Sequence, residues 1–475
     1  MSETKTHSKM TNLEKIEQLR QRIKKAREGG GPERLEKQRQ GGKMTARDRI
    51  DAILDPGTFL ESILFARHRA VHFGMADKDF LGDGVVTCSG KVAGRIVHMA
   101  SQDFTVLGGA VGEVHADKIV EVMKLSLKTG TPFLFINDSG GARIQEGIDS
   151  LGPCAGGAAY SPALTDFIIQ SRQARMFITG PSVIKQVTGE DVSAEVLGGP
   201  ENQMMKAGNV HFIAENDQHA IDIAKRLLSF LPSNNLGDPP RVPGEYEFHH
   251  DGALDAIIPD NPKKGYDVRE IITRLADHGD FLEVQEHFAR TAVVGFGRVD
   301  GRTVGFVANQ PIHMSGVLDI DSSDKISRFV RFCNAFNVPL VTLVDVPGFL
   351  PGVQQEHGGI IRHGAKVLFS YSAATVPKIT VVLRKAYGGA YVAMCCKDLG
   401  ADKVFAWPSA EIAVMGAEGA VAIVFKREID EAADKDARRE ELIEEYRETF
   451  SSPYMAANRR LVDNVIEPGE TRRYL

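Results

Sequence analysis

The amino-acid sequence predicts an α/β protein made of two similar halves in tandem. Three features of the first half recur 207 residues later, and similarity at a fixed spacing is typical of duplicated structural units. The recurring pairs are GKVAGR at 90–95 with GRVDGR at 297–302, Lys118 with Lys325, and an apolar run ending at Asp138 with one ending at Asp345. A chain of 475 residues also suits two domains of roughly two hundred residues each better than one core.

The N-terminal segment, residues 1–50, is predicted to be a charged helical arm. Residues 12–50 are dense in Lys, Arg, Glu and Gln with apolar residues at helical intervals, and the pattern breaks near Gly29-Gly30-Gly31-Pro32. We expect an interface element rather than a domain. The remaining chain divides into a first domain at 51–230, a linker at 231–265 that holds six of the 21 prolines, and a second domain at 266–475.

Each half alternates helical and strand-like segments. A helix at 116–129 precedes a strand at 132–137, and in the second half a helix at 323–336 precedes a strand at 339–344. The second half continues with a helix at 360–373 and a strand at 378–383, which leads to Gly388-Gly389. Repeated alternation of this kind implies a sheet with parallel pairing.

The first half lacks the last helix and strand of that series. Gly156-Gly157 pairs with Gly388-Gly389 at a spacing of 232 rather than 207, so the first half is shorter by 25 residues between its aspartate and its glycine turn. A buried parallel strand cannot be deleted without leaving backbone groups of its neighbours unpaired. We expect that about 25 residues between Leu151 and Gly152 belong to the natural protein. Whether this gap is natural or an artefact of the sequence stays open.

Charge and composition exclude several classes of protein. With 57 basic and 63 acidic residues, the net charge of −6 offers no broad field for nucleic acid or an anionic membrane. No stretch approaches 18 consecutive apolar residues, the N-terminus has no apolar leader, and the five cysteines lack CxxC spacing. These features predict a cytoplasmic protein with reduced thiols and no metal site.

Two Gly-Gly turns are the candidate catalytic elements. Each is predicted to end a strand and to open a helix, at 158–170 after Gly156-Gly157 and at 390–398 after Gly388-Gly389. Glycine lets a ligand approach the backbone, and the first amides of a helix have no intrahelical acceptor, so such a turn can serve as an oxyanion hole. Close packing of strand against helix explains most single Gly-Gly pairs. Two turns at matched positions of a duplicated chain favour the functional interpretation.

The loops after Asp138 and Asp345 lie where α/β sheets tend to bind ligands. In the first loop, Arg143 follows Gly140, Gly141 and Ala142 and could clamp a phosphate or carboxylate, although a structural ion pair is equally consistent with the sequence. The sequence contains no Ser-His-Asp order, HExxH motif or P-loop that would indicate a hydrolase, metalloprotease or kinase.

Five strings together resemble the carboxyltransferase (β) subunits of biotin-dependent acyl-CoA carboxylases, with the propionyl-CoA carboxylase type the most similar. The strings are DSGGARIQEG at 138–147, GPCAGGAAY at 152–160, DVPGFLPG at 345–352, RKAYGGAY at 384–391 and VMGAEGA at 414–420. The resemblance covers the chain from the KMTAR at 43–47 to the Ser-Pro-Tyr at 452–454.

The resemblance implies two tandem crotonase-like domains, each a ββα spiral, behind the N-terminal helical arm. It also implies a homohexamer whose active sites lie between the N-terminal half of one subunit and the C-terminal half of another. By this likeness, the amides of Gly156 and Gly157 would hold the thioester oxygen of the acyl-CoA substrate, and those of Gly389 and Ala390 would hold the ureido oxygen of biotin. Residues Gly140 to Arg143 and Val392 would contribute to substrate binding.

The implied reaction moves a carboxyl group from carboxybiotin to the α-carbon of a short acyl-CoA such as propionyl-CoA. Both halves of that transfer create an oxyanion, so two amide cradles can serve it without a titrating base. Biotin would be carried by a separate biotin carboxyl carrier protein or biotin carboxylase subunit, since no biotinylation site is found. Met123-Lys124 superficially resembles the Met-Lys-Met of a carrier domain but lies in a predicted helix.

Three alternatives stay open at this point. The chain could be the carboxyltransferase subunit of a sodium-pumping decarboxylase of the methylmalonyl-CoA type, which would contact a membrane only through a partner. A crotonase-type hydratase or isomerase would need a positioned carboxylate and has no use for a second hole. A catalytically impaired CoA-binding scaffold is the non-enzymatic option. Val392 stands where many propionyl-CoA carboxylases have aspartate, so acyl selectivity is not fixed by the resemblance.

Overall fold

The computed structural model describes residues 10–146, 157–244, 246 and 248–475. Its chain forms two compact units, one of Met1–Pro200 with Ile213–Lys225 and one of Glu201–Phe212 with Arg226–Leu475. The domain boundaries expected from sequence, including the linker at 231–265, remain a prediction.

Nineteen α-helices lie in the described residues. They are α1 (Asn12–Arg27), α2 (Pro32–Gln40), α3 (Ala46–Ile53), α4 (Glu113–Thr129), α5 (Gly157–Ala163), α6 (Pro181–Thr188), α7 (Ala194–Gly198), α8 (Pro200–Met205), α9 (Asp217–Phe230), α10 (Gly252–Asp255), α11 (Val268–Leu275), α12 (Ile320–Ala335), α13 (Val353–Gly358), α14 (Ile360–Ala373), α15 (Gly388–Ala393), α16 (Ala417–Val424), α17 (Lys426–Glu431), α18 (Lys435–Tyr446) and α19 (Pro453–Asn458).

Fourteen strands accompany them in the same part of the chain. They are β1 (Leu60–Ser62), β2 (Val85–Val92), β3 (Arg95–Gln102), β4 (Phe133–Ile136), β5 (Ile169–Ser171), β6 (Phe212–Ala214), β7 (Phe281–Val284), β8 (Ala292–Val299), β9 (Arg302–Asn309), β10 (Leu340–Val346), β11 (Lys378–Tyr387), β12 (Lys403–Ala406), β13 (Glu411–Ala413) and β14 (Asn464–Val465).

The N-terminal arm is helical and breaks where the sequence predicts. Helix α1 begins with a capping box between Thr11 and Glu14, and α2 begins at Pro32, a residue suited to the first turn of a helix. Between them, the amide of Gly30 donates to Thr105 Oγ1 at 3.0 Å, and a Cβ on Gly30 would lie 2.0 Å from the Thr105 carbonyl oxygen. Glycine at this break therefore lets the arm lie directly on the first unit.

The first unit contains a four-stranded sheet in the order β1-β2-β3-β4 and a separate pair, β5-β6. Strands β1, β2 and β3 are antiparallel, and β3 pairs in parallel with β4 across helix α4. Helix α4 ends at Gly130, whose φ of +68° supplies a left-handed C-cap.

The second unit contains one continuous sheet in the order β14-β12-β11-β10-β9-β8-β7, with β13 paired to the end of β11. Strands β7, β8 and β9 are antiparallel, and the pairs from β9 to β14 are parallel. In the core beside this sheet, Trp407 is fully buried and donates through Nε1 to Thr471 Oγ1 at 2.8 Å.

Matched contacts confirm the duplication at the level of individual hydrogen bonds. Buried Lys118 on α4 donates to the carbonyls of Gly82 and Val85, and buried Lys325 on α12 donates to those of Gln285, Phe288 and Ala292. The amide of Asp138 donates to Gln102 Oε1 and the amide of Asp345 to Asn309 Oδ1, at 3.0 and 3.3 Å. Four pairs among these residues are 207 positions apart: Lys118 with Lys325, Val85 with Ala292, Gln102 with Asn309 and Asp138 with Asp345.

Three sequence expectations need correction. The sheets are mixed rather than parallel throughout, because each half opens with an antiparallel strand pair before its first crossover helix. The helix expected at 158–170 ends at Ala163, directly after Pro162, a residue type that is disfavoured in helix interiors, and β5 follows. The helix expected at 390–398 ends at Ala393, shortly before Cys395 takes a φ of +62°. The predicted helix at 360–373 is confirmed, and the strand predicted at 378–383 extends to Tyr387.

Some expectations concern residues that the structure does not describe. The proposed gap between Leu151 and Gly152 and the candidate residue Gly156 both fall outside the described ranges. Within those ranges, Cys88, Cys333, Cys395 and Cys396 are buried free thiols. No helix in the same ranges is long and apolar enough to cross a membrane.

The two buried lysines give a matched stability test. Replacing Lys325 with methionine removes the donor to the carbonyls of Phe288 and Ala292, whereas the Gln285 carbonyl still accepts from the Phe288 amide. Replacing Lys118 removes the donor to the Val85 carbonyl alone, because the Gly82 carbonyl still accepts from the Val85 amide. Each unsatisfied carbonyl costs about 1–3 kcal/mol. We expect Lys325→Met to lower the free energy of unfolding more than Lys118→Met does. Urea unfolding followed by hydrogen exchange in each unit would measure both. Lys124→Met is the control, because its side chain is 65% exposed, and equal effects at all three positions would contradict the expectation.

Candidate active site

A buried carboxylate lies at or just after the end of the fourth strand in each half. Asp345, at the end of β10, accepts from Arg384 Nε at 3.0 Å and from the amide of Lys385 at 3.1 Å. Burial raises the pKa of Asp345, and the positive charge of Arg384 opposes that rise. Because Arg384 and Lys385 belong to β11, this pair fixes the end of β10 to the strand that leads into Gly388.

The equivalent carboxylate of the first half has different partners. Asp138 accepts from Lys43 Nζ at 2.7 Å and from Arg49 Nη1 at 3.0 Å, and its side chain is only 8% exposed. Both cations come from the N-terminal arm and α3. The arm therefore supplies the charge that β11 supplies in the second half.

The second Gly-Gly turn has the geometry of an amide cradle. Gly388 has a φ of +55°, and a Cβ there would lie 2.8 Å from the carbonyl oxygen of Val414, so position 388 requires glycine. Next to it, Gly389 is exposed, and a Cβ built on it would meet no atom within 4 Å. The backbone at Gly389 is thus open to an incoming group.

Two amides of this turn are available as hydrogen-bond donors by their position. Gly389 and Ala390 are the second and third residues of α15, so their N–H groups precede the first intrahelical hydrogen bond. Val392 lies on the same helix with 40% of its surface exposed. The arrangement can stabilise a negatively charged oxygen that approaches Gly389, with Val392 close along the helix.

A side-chain network that sequence reasoning missed supports this turn. The Tyr387 hydroxyl donates to Glu411, and Glu411 lies on β13, which pairs with the last residues of β11. Burial and the carboxylate of Glu411 both raise the pKa of Tyr387, so the phenol remains a donor. Arg447 extends the network, because its Nε lies 4.0 Å from Glu411 Oε1 and its Nη2 forms an ion pair with Glu418 at 2.6 Å. Only the short strand-like AEIA at 410–413 could have hinted at it in the sequence.

The first Gly-Gly turn is described only in part. Gly157 is the first residue of α5, one residue before the predicted start at 158, and Gly156 lies outside the described residues. The role of the Gly156 and Gly157 amides in holding a thioester oxygen stays a prediction.

The loop after Asp138 is fixed to a neighbouring turn. The amide of Gly140 donates to the Gly108 carbonyl at 2.9 Å, and Ala142 forms an isolated parallel bridge with Val111. Leu318 and Phe349 form the same bridge 207 residues later. Gly141 takes a φ of +109°, which only glycine adopts readily, so this loop is shaped by its glycines.

Arg143 is placed in the structural ion pair that the sequence left as an alternative. Its side chain is 1% exposed and donates through Nη1 to Asp83 and Glu146, both at 2.7 Å, and through Nη2 to the Ala110 carbonyl at 2.9 Å. Burial raises the pKa of Asp83, and the charge of Arg143 opposes it. The sequence could not reveal this pair because Asp83 is 60 residues away. A role for Arg143 in substrate binding stays a prediction.

Across residues 10–146, 157–244, 246 and 248–475, no cluster of three or more His, Cys, Asp or Glu is placed to hold a metal ion.

The chain contains two similar mixed sheets with crossover helices, and a glycine turn after β11, the fifth strand of the second unit, opens into a short helix. Together these features define a crotonase-like fold. Comparison with known proteins agrees. The family model described as "Carboxyl transferase domain" matches residues 37–152 and 150–475. The chain therefore belongs to the carboxyl transferase family, and its two units are the two tandem lobes of that fold.

Named relatives are similar over nearly the whole chain. The methylmalonyl-CoA carboxyltransferase 12S subunit of Propionibacterium freudenreichii subsp. shermanii is 57% identical over 97% of this chain and 92% of its own length. The propionyl-CoA carboxylase carboxyltransferase subunit of Haloferax mediterranei is 52% identical over 98% and 95%. The alpha subunit of methylmalonyl-CoA decarboxylase from Propionigenium modestum is 52% identical over 97% and 94%.

A solved structure shows the same fold. The crystal structure of transcarboxylase 12S, described as a hexamer assembly with methylmalonyl-coenzyme A and methylmalonic acid bound, superposes with a TM-score of 0.95 at 56% identity. The match covers 99% of this chain and 95% of that one.

The support network under the second turn gives a matched pair of tyrosine variants. Tyr387→Phe removes the donor to Glu411 and leaves a partly buried carboxylate without it, which should cost about 1–3 kcal/mol of unfolding free energy. Tyr391→Phe is the control, because the buried Tyr391 hydroxyl has no hydrogen-bond partner in the described part of the chain. Urea unfolding measures both variants. Equal destabilisation by the two would show that the Tyr387–Glu411 bond does not support the turn.

Proposed function

We propose that this chain is the carboxyltransferase subunit that moves a carboxyl group between biotin, carried on another protein, and the α-carbon of a short acyl-CoA such as propionyl-CoA. The observation that carries the proposal is the turn at Gly388-Gly389. Its backbone is open to a ligand at Gly389, and the amides of Gly389 and Ala390 have no intrahelical acceptors. Membership of the carboxyl transferase family and the names of the three relatives support the reaction class.

The residues of the second lobe suit biotin. The open space over Gly389 admits a ring edge, and the N–H groups of Gly389 and Ala390 are donors for a ureido oxygen that gains negative charge. Bound biotin supplies the transferable carboxyl group and, once it has released that group, the base for the α-proton. The positive φ of Gly388 and the Tyr387–Glu411 bond hold these amides in place before the substrate arrives.

The first lobe takes the acyl-CoA in this proposal. Gly156 and Gly157 would donate to the thioester oxygen as the α-proton leaves, and Gly140, Gly141 and Ala142 would border the substrate. Proton loss from the α-carbon forms an enolate, whose α-carbon then bonds to CO₂, so charge passes from the thioester oxygen to the new carboxylate. Amides preorganised for both oxyanions lower the barriers, and binding both reactants removes entropic cost.

The relatives favour two directions of the same transfer. A carboxylase subunit, a decarboxylase subunit and a transcarboxylase subunit are each at least 52% identical to this chain. A carboxylase subunit is the primary proposal, and decarboxylation by a sodium-pumping complex is the second. The partner that co-purifies with the chain separates them: a biotin carboxylase in the first case and an integral membrane subunit in the second.

The assembly follows from the same likeness. We infer a homohexamer, since transcarboxylase 12S is described as a hexamer in its crystal structure. Exposed apolar side chains on the second unit, among them Ile361 and Phe369 on α14 and Val414 beside the turn, are suited to burial against another copy. Biotin would arrive on a carrier protein, since Lys124 lies inside α4 and not on an exposed hairpin. A cytoplasmic location is part of the proposal.

Removing one amide at the second turn tests the biotin assignment. Proline is tolerated in the first turn of a helix, so Gly389→Pro deletes one donor with little change to α15 and should lower the rate about 100- to 1000-fold. The measurement is decarboxylation of malonyl-, methylmalonyl- and glutaconyl-CoA with free biotin. Lys435→Pro, at the exposed first residue of α18, is the matched control for proline in the second unit. Parent-level rates in Gly389→Pro would contradict the assignment.

Substitution at Val392 tests its role in acyl selectivity. An exposed valine beside the open turn favours an apolar acyl group, and Val392→Asp adds a charge there. We expect the ratio of kcat/KM for methylmalonyl-CoA to that for malonyl-CoA to change about 10- to 200-fold, the range of a one-carbon discrimination. Val353→Asp, at a valine that is 69% exposed elsewhere in the unit, should leave the ratio unchanged. An unchanged ratio in Val392→Asp would remove Val392 from the substrate site.

A further inference from the structure

Strand β4 of the first unit has a neighbour on one edge only. In the described residues it pairs with β3, and its four residues are all partly exposed. Its counterpart β10 lies between β9 and β11, and all seven of its residues are buried. The first unit thus ends its main sheet at the position where the second unit continues, and β5 pairs with β6 in a separate sheet.

Helix α4 is uncovered on the corresponding side. Val120, Met123 and Leu127 form one apolar face, with Met123 47% and Leu127 84% exposed. The equivalent residues of α12, 207 positions later, are Ser327, Val330 and Asn334, and Val330 is fully buried.

Helix α14 provides that cover in the second unit. Ser327 Oγ lies 2.7 Å from Ser370 Oγ of α14, and Asn334 Oδ1 accepts from the amide of Thr375 at 2.8 Å. These contacts show that the face of α12 at 327, 330 and 334 is the one on which α14 packs. No described helix occupies the same place on α4, which explains why its apolar side chains are exposed.

One segment of the second half has no counterpart in the first half, and a copy of it would cover both the open edge of β4 and the exposed face of α4. The spacing of 207 extends to Leu151 and Gly358, and the spacing of 232 begins at Gly152 and Arg384, so Gly359–Leu383 has no counterpart in the first half. Those 25 residues comprise the whole of α14 and the first six residues of β11. Within this segment, Lys378–Val382 pair with β10 and Ile379–Val382 pair with β12 on the other edge.

The family match is divided at the same point of the sequence, between residues 150 and 152, where its two segments meet. The alignments to the three relatives run over 483, 492 and 485 residues although this chain has 475, of which 97–98% is aligned, so each relative has about 20 residues or more that this chain lacks.

We propose that the open edge of β4 and the apolar face of α4, formed by Val120, Met123 and Leu127, are the docking site for one helix–strand unit of about 25 residues, continuous with the chain between Leu151 and Gly152. Its strand is apolar and β-branched on both faces, as Ile379–Leu383 is, because it lies between two parallel neighbours. Its helix carries an apolar residue where α14 carries Ser370, because Val120 stands in place of Ser327.

We also expect the docked unit to set the position of the first Gly-Gly turn. This second part of the proposal rests on the proposed function. In the second half, β11 leads directly into Gly388-Gly389, and its residues Arg384 and Lys385 hold it to Asp345. A strand beside β4 would lead into Gly156-Gly157 in the same way. We therefore assign to this unit the positioning of the acyl-CoA cradle.

Hydrogen exchange tests the docking site directly. Three proteins are compared: the present chain, a chain with a copy of Gly359–Leu383 inserted between Leu151 and Gly152, and a chain with the same 25 residues in scrambled order. The copy carries Ser370→Ala so that no unpaired hydroxyl faces Val120. We expect exchange of the Phe133–Ile136 amides to be at least about 100-fold slower with the copied unit, and unchanged with the scrambled one. Equal exchange in all three proteins overturns the proposal.

A surface substitution separates docking on α4 from general stabilisation. Met123→Lys should leave exchange of β4 unaltered in the present chain and should abolish the added protection in the chain with the copied unit. Glu121→Lys is the control, since position 121 and its equivalent Arg328 are both exposed. Protection that survives Met123→Lys would place the unit elsewhere.

Two further measurements separate this proposal from the proposed function. The mass of the protein isolated from its own organism should exceed 51.8 kDa by about 25 residues, and a mass of 51.8 kDa overturns the proposal. Decarboxylation rates with free biotin should rise at least tenfold in the chain with the copied unit, and Gly389→Pro should remove the gain. Protection of β4 without any gain would support docking and count against the acyl-CoA assignment.

Discussion

The fold of each half depends on a carboxylate buried at or just after the end of its fourth strand. An unpaired carboxylate at Asp138 or Asp345 would cost several kcal/mol, so a cation must be delivered to each. The second half delivers Arg384 from the neighbouring strand, and this ties the end of β10 to the entry of the glycine turn. The first half delivers Lys43 and Arg49 from the N-terminal segment instead. The same requirement is met by a local element in one lobe and by a distant one in the other.

The chemistry of the second lobe follows from how that strand ends. Three features fix the direction in which the chain enters α15: the pairing of β11 with β13, the hydrogen bond from Tyr387 to Glu411, and the positive φ of Gly388. The donors themselves are backbone amides, which no side-chain substitution replaces. Substitutions can therefore change only the residues that support the turn and the residues that surround the bound ligand. Val392 belongs to the surroundings, and Glu411 belongs to the support.

Much of this can be predicted from the sequence because duplication makes the chain its own comparison. The spacing of 207 locates the matched lysines and aspartates, and the helix at 360–373 is predicted with its observed bounds. Partners distant in sequence cannot be found in this way: nothing near Arg143 indicates Asp83, and nothing near Tyr387 indicates Glu411. The antiparallel start of each sheet escapes prediction because strand–helix alternation reports on crossovers and not on the hairpin that precedes them. The end of α5 at Ala163 differs from the prediction although Pro162 is a local signal for it.

The cations at Asp138 give the N-terminal segment a significance beyond its helices. Residues up to the end of α2 contribute mainly exposed side chains, whereas Lys43 and Arg49 neutralise a carboxylate in the interior of the first lobe. Proteolytic trimming that stops before Lys43 would remove only a surface attachment. Trimming a few residues further, into α3, would remove Lys43 and Arg49, the counter-ions of Asp138. The effect of a cut on the stability of the first lobe therefore depends on whether it falls before or after the connection between α2 and α3.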